Sequence, residues 1–251
     1  TPFIVAVKRY ELIQAGDKIA VCISGGKDSM LMAKLLQELQ RHSEVPFELV
    51  YLVMDPGYNE INRQKIESNA ALLHLPITVF ETNIFDVANN SEKSPCYLCA
   101  RMRRGHLYKK AQELGCNKVA LGHHLDDAVE TFYMNLWREG RIGCFSPVTY
   151  LSQRDLTLIR PMLLATEYEV QCAVREAGLP IVKSRCPADG VTVREQTKEF
   201  VQERCRTDHA FRQKTLHALQ ESGIDGWRPV HTGRGSFIVP KKETDHAETT
   251  V

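Results

Sequence analysis

Residues 17–42, "DKIAVCISGGKDSMLMAKLLQELQRH", constrain the fold of this chain more than any other stretch. Apolar, partly β-branched residues fill "DKIAVCIS" (17–24) and stop at a glycine pair. From residue 28 to 42 the apolar positions recur at helical spacing. A short apolar run closed by glycines reads as a buried strand, and the change of period marks a helix. The same succession recurs: "FELVYLVMD" (47–55), "ITVFETN" (77–83) and "NKVALGH" (117–123) read as strands. Helices are predicted over 58–74, 97–114, 124–140 and 165–179, with short strands at 157–162 and 180–182. Such alternation predicts an α/β fold, a parallel twisted sheet with helices on both faces. Ligands in such sheets bind beyond the carboxyl ends of the strands. The loops at 24–29 and 122–127 and the acid Asp55 all fall at those ends.

The loop after the first strand reads as a phosphate cradle. Backbone N–H groups at a helix start favour an anion, and Gly25 and Gly26 let the backbone approach it closely. Ser24 and Ser29 add hydroxyl donors, Lys27 adds charge, and Asp28 is suited to Mg²⁺ or to a helix cap. The spacing G-x-x-x-x-G-K-[ST] of ordinary nucleotide triphosphatases is not met, because the glycine pair directly precedes Lys27, Asp28 and Ser29.

Cysteine usage carries the second signal. Eight cysteines stand in a chain of 251 residues with no apparent secretory leader, so a disulfide framework is not expected. Cys22, Cys116 and Cys172 read as packing residues, with Cys144 and Cys205 leaning the same way. Cys96 and Cys99, in "PCYLC", are spaced to face one ion. Three readings fit them: a redox pair, part of a zinc site helped by His106 or another cysteine, or ligands of an iron–sulfur cluster. The third needs a remote thiolate, and Cys186 in "SRCPADG" follows the last predicted strand. Three thiolates would leave one iron open to sulfide or substrate.

"GHHLDD" (122–127) ends one predicted strand and opens a helix. Gly122 allows close approach to a nucleotide, while Asp126 and Asp127 suit Mg²⁺ or the orientation of a substrate; Asp126 reads equally as a first-turn charge. His123 and His124 lack metal-ligand spacing. The net charge of +1 does not announce a polyanion partner. Yet from Lys93 to Lys118 seven cations (Lys93, Arg101, Arg103, Arg104, Lys109, Lys110, Lys118) face a single acid, Glu113. That stripe suits an RNA backbone or, equally, a solvated helix face. No apolar run is long enough to span a membrane.

The chain resembles a known family at these residues. Ser24-Gly25-Gly26-Lys27-Asp28-Ser29 is similar to the SGGxDS signature of the PP-loop ATP pyrophosphatases, which cleave ATP between the α and β phosphates. "GDKIAVCISGGKDSM", "CYLCARMRRGHLY", "LGHHLDDAVETFYMNL" and "IRPM" together resemble the TtcA-like branch, which makes 2-thiocytidine in tRNA. The resemblance covers about residues 10–205. It implies a [4Fe–4S] cluster on Cys96, Cys99 and Cys186, with ATP and Mg²⁺ as further cofactors. Asp55 is implied at the nucleoside, and Asp127 and Cys186 in the chemistry. It also implies adenylation of O2 of a cytidine and replacement of that oxygen by sulfur. Members often carry a second CxxC, whereas Cys186 is followed by Pro187, Ala188 and Asp189. Lysidine synthesis, which needs no cysteines, and thiolation or desulfuration of another base are the alternatives, beside a non-catalytic sensor built on the same fold. Expected partners are tRNA, a sulfur donor (sulfide or a cysteine desulfurase) and a second copy in a homodimer, in the cytoplasm and off the membrane. The expected organisation is a PP-loop domain over 1–189, a small helical appendage over 190–228 and a flexible polar tail over 229–251.

Overall fold

The computed structural model describes residues 1–56, 60–84, 95–182 and 193–231, with 95–97 described in backbone only. In chain order the elements are α1 (Pro2–Arg9), β1 (Lys18–Ile23), α2 (Lys27–His42), β2 (Glu48–Asp55), α3 (Glu60–Leu72), β3 (Ile77–Glu81) and α4 (Pro95–Glu113). β4 (Lys118–Ala120), α5 (Leu125–Arg138), β5 (Val148–Leu151), β6 (Leu156–Ile159), α6 (Glu167–Glu176), α7 (Val193–Thr207) and α8 (Phe211–Ser222) follow. Among the described residues, no helix is long and apolar enough to cross a membrane.

The strands form one sheet in the order β3-β2-β1-β4-β6-β5. Every pairing is parallel except that of β5 with β6. The α/β expectation therefore holds. β1 lies between β2 and β4, with Ile19, Ala20, Val21 and Ile23 all buried, because a central parallel strand is covered on both faces. The chain winds from β1 through β2 to β3 on one side, then crosses to place β4 on the other. The crevice between the carboxyl ends of β1 and β4 is thus the switch point at which such sheets bind ligands.

Three differences from the sequence expectation have local causes. Residues 180–182 form no strand: Pro180 has no N–H for a ladder, and the segment is tied instead by Val182 N–H donating to the Gly25 carbonyl at 2.8 Å. β5 is an edge strand with Val148 and Tyr150 exposed, so its sequence lacks the apolar run that marks its neighbours. α1 buries Phe3, Ala6 and Val7, too short an apolar face to stand out in the sequence.

α7 and α8 pack on α5 through Val201, Leu216, Leu219, Leu125, Ala128 and Val129. Trp227 is fully buried in the same cluster; its indole N–H donates to the Phe145 carbonyl, and its own carbonyl accepts from Tyr10 Oη. Val230 and His231 N–H both donate to the Arg9 carbonyl, so the chain is still held at the point where the sequence predicts a tail. Residues 232–251 lie outside the described residues.

Candidate active site

The loop joining β1 to α2 takes its shape from its own serines and glycines. Ser29 Oγ donates to the Gly26 carbonyl at 3.0 Å, accepts from Ser24 N–H at 3.1 Å and lies 3.1 Å from Ser24 Oγ. Gly25 has φ +82, the left-handed region that glycine enters without steric cost. A β-carbon there would stand 2.8 Å from Ile66 Cγ1 on α3, so space as well as backbone demands glycine. Gly26 is the residue before α2, and the first N–H groups of a 16-residue helix open next to it.

The second loop lies against the first. A β-carbon on Gly122 would come 3.4 Å from the Asp28 carbonyl carbon and from Ser29 N. This contact brings residues 24–29 and 122–127 together at the β1–β4 crevice. Past Gly122, His124 caps α5: its Nδ1 accepts from Asp127 N–H at 3.4 Å while Asp127 Oδ2 accepts from His124 N–H at 2.9 Å. His124 Nε2 lies 3.7 Å from Asp28 Oδ1.

Neighbouring acids have separate surroundings. Asp126 is 3% exposed, pairs with Arg212 of α8 and accepts from Glu167 N–H at 2.6 Å. Of its two readings the structure favours the structural one: it joins α5, α6 and α8. Asp127 is more open and pairs with Arg194 of α7 at 3.0 Å. Arg194 also reaches Glu130 at 3.5 Å. Burial pushes the Glu130 carboxyl up to about 7, aided by Asp127 and opposed by Arg194. Asp55 is buried at the carboxyl end of β2, where its backbone carbonyl accepts from Thr82 N–H at 2.8 Å.

His123 lies one residue past Gly122, its ring 4.9 Å from that of Phe145. Burial holds it down to about 4, with Arg160, Arg194 and His124 adding to the effect and Asp127 opposing it. It is therefore neutral at physiological pH. Arg160 follows β6, 6% exposed, with its guanidinium 4.9 Å from the Phe145 ring centre. Among the described residues, neither His123 Nδ1 nor Arg160 Nε has a hydrogen-bond partner.

Lys27 Nζ lies 3.0 Å from Asp28 and 3.3 Å from Glu167, at the start of α6. Glu167, Arg194, Lys198 and Arg212 are site residues that the sequence reading missed. Each is one charge among several on a helix far in sequence from the motif it joins.

The thiols divide by environment. Burial pushes Cys22 and Cys144 up to about 12 and raises Cys116 as well, so these three stay protonated and serve as packing residues. Cys96 and Cys99 are three residues apart within α4, a spacing that puts two positions on one helix face, and Cys99 is half-buried. Two cysteines so spaced suit a shared metal or cluster. The side chain of Cys96 and the whole of Cys186 lie outside the described residues. On α4, Arg101, Arg104 and Lys109 are exposed, whereas Arg103 is half-buried.

Residues 4–204 match the PP-loop domain family. The tRNA-cytidine(32) 2-sulfurtransferase of Pelobacter propionicus is 35% identical over 219 residues, 85% of this chain and 81% of that protein. Its counterpart in Geobacter metallireducens is 36% identical, covering 85% of each chain. The solved U34-tRNA thiolase of Methanococcus maripaludis, with its [4Fe–4S] cluster, has the same fold, with a TM-score of 0.73 at 21% identity over 88% of this chain and 77% of that one. The chain belongs to the PP-loop family, in the group of the tRNA-cytidine 2-sulfurtransferases.

Proposed function

We propose that this protein is an ATP-dependent tRNA sulfurtransferase that replaces O2 of a cytidine with sulfur. The observation that carries the reading is the seating of Gly122 against Asp28 and Ser29, which joins the PP loop and the "GHHLDD" loop at the sheet's switch point. Relatives 35% and 36% identical over 85% of this chain carry that activity in their names.

In this reading the N–H groups at the start of α2, with Ser24, Gly25, Gly26 and Ser29, hold the ATP phosphates. Lys27 neutralises the charge that develops on the leaving pyrophosphate. Asp55 faces the nucleoside, Gly122 lets the nucleotide lie close to the backbone, and Asp28 and Asp127 are the acids available to Mg²⁺. O2 of the cytidine attacks the α-phosphorus, the bond to the β-phosphate oxygen breaks, and pyrophosphate leaves. A reduced sulfur nucleophile then adds at C2, and the C2–O2 bond breaks to release AMP. Adenylation turns a poor leaving oxygen into a good one. A [4Fe–4S] cluster on Cys96, Cys99 and Cys186 would supply an iron without a protein ligand, suited to sulfide; sulfur from a cysteine desulfurase, which arrives as a persulfide, would first need a two-electron thiol reductant. Exposed Arg101, Arg104 and Lys109 on the helix that carries the cysteines give the tRNA backbone its counter-charge. A cytidine in an unpaired loop suits a protein that must reach one base edge.

The test is anaerobic incubation of the purified chain with unmodified tRNA, ATP, Mg²⁺ and sulfide, followed by nucleoside mass spectrometry. The reading expects AMP and 2-thiocytidine in equal amounts, with both lost in Cys99→Ser. AMP without a thiolated nucleoside would reject the product, and a colourless, zinc-loaded protein would reject the cluster.

A further inference from the structure

Lys27, the cation of the PP loop, is held by two acids. Asp28 is its neighbour in sequence and travels with the loop, but Glu167 comes from the far side of the crevice, 3.3 Å from Lys27 Nζ. Glu167 is also claimed from behind. Lys198 of α7 approaches it to 3.2 Å, and its backbone N–H is fixed by buried Asp126, itself paired with Arg212 of α8. The Lys27 and Glu167 side chains are 25% and 20% exposed, so their attraction is only partly screened. Burial works against the charge on Glu167, but Lys198 and Lys27 outweigh it and keep the carboxyl below its ordinary pKa. A phosphate group at the PP loop must therefore take Lys27 from a carboxylate anchored to two other helices.

We propose that Glu167 is a positioning residue that competes with phosphate for Lys27 and so promotes the departure of pyrophosphate. The inference rests on the adenylating reading given above and deepens it. When pyrophosphate sits in the loop, Lys27 turns to it, and Glu167 keeps its charge paired through Lys198. As pyrophosphate loosens, the carboxylate recaptures Lys27 and the loop loses a cation that would otherwise hold the product. Lys198 sets the strength of the recapture, because it shares the same carboxylate. The two residues should thus affect product affinity in opposite directions, which a merely structural role in α6 would not produce.

The experiment is calorimetric titration of the full chain with Mg²⁺-pyrophosphate. Glu167→Gln is expected to tighten binding about 3- to 10-fold and Glu167→Asp to stay within about 2-fold of wild type. Lys198→Met is expected to weaken binding about 2-fold, in keeping with a partly exposed ion pair. In a Lys27→Met background, Glu167→Gln should change affinity by less than about 1.5-fold, because the effect runs through Lys27. Unchanged or weaker binding by Glu167→Gln, an equal gain in the Lys27→Met background, or no uptake of pyrophosphate by the wild-type chain would each overturn the proposal. Thermal unfolding of each variant shows that the chain compared is folded, and Lys198→Met keeps the test open if Glu167→Gln does not fold. A wild-type chain that follows this pattern but yields no 2-thiocytidine would refute the sulfurtransferase reading and leave the role of Glu167 standing.

Discussion

Gly25 and Ile66 are packed so closely that a β-carbon on Gly25 would fall 2.8 Å from Ile66 Cγ1. α3 therefore presses directly on the PP loop and fixes its path. Gly25→Ala is expected to lose stability on two counts, about 1–2 kcal/mol for left-handed backbone and a further penalty for the clash. In an Ile66→Ala background only the backbone part should remain. Urea unfolding of the four proteins checks this. A full, undiminished cost of Gly25→Ala in the Ile66→Ala chain would show that the contact is not what excludes a side chain.

Asp126 and Arg212 supply a second test. Removing a buried partner strands the other group, so Asp126→Ala should cost roughly 2–4 kcal/mol. The figure lies below that for a fully enclosed pair because the Arg212 side chain is 27% exposed. The urea midpoint should fall with an unchanged slope. A loss under about 0.5 kcal/mol would contradict the role of Asp126 as the tie between α5, α6 and α8.

The pH dependence of stability should show two opposed contributions. His123 is held down to about 4 by burial, so below its unfolded pKa of about 6.5 the unfolded chain takes up the proton first, and stability falls as pH drops from about 6.5 to 4. Glu130 is pushed up to about 7, so the folded chain binds the proton first, and stability is lost as pH rises from about 4.5 to 7. His123→Gln should flatten the fall in acid, because the variant has no buried imidazole to protonate. Glu130→Gln should make the slope of stability between pH 5 and 7 more positive. Unfolding free energies at a series of pH values check both signs.

Arg101 and Arg104 are exposed on the helix that begins at Pro95. Replacing either with Gln should weaken tRNA binding a few-fold and reduce the slope of log affinity against log salt by about one. Lys214, paired with Asp208 at 2.6 Å on a different helix, serves as control, and Lys214→Gln should leave the slope unchanged. Equal effects at both places would mean that the stripe on α4 is only a solvated face.

Much of the site was legible because it is local. Ser24 to Ser29 occupy one turn, and the two serines bond each other and the start of the helix they open. The "GHHLDD" loop was legible for the same reason, since the cap joins His124 to Asp127, within one turn of chain. The division of labour between Asp126 and Asp127 was not. Both stand in the first turn of α5, and what separates them is which cation reaches each: Arg212 for the first, Arg194 for the second.

The sequence by itself determined the alternation of strands and helices, the phosphate loop, the paired cysteines and the family to which the chain belongs. Those are properties of short windows, set by residue type and period. Only the tertiary structure decided that β1 lies beside β4, which turns two separate loops into one crevice. It also brought Glu167 to Lys27, Arg194 to Asp127 and Arg212 to Asp126, partners far apart in the chain. A charge pair that closes across such a separation leaves no periodic trace in the chain, because its partners are chosen by the packing of α5 through α8 and not by their neighbours in sequence.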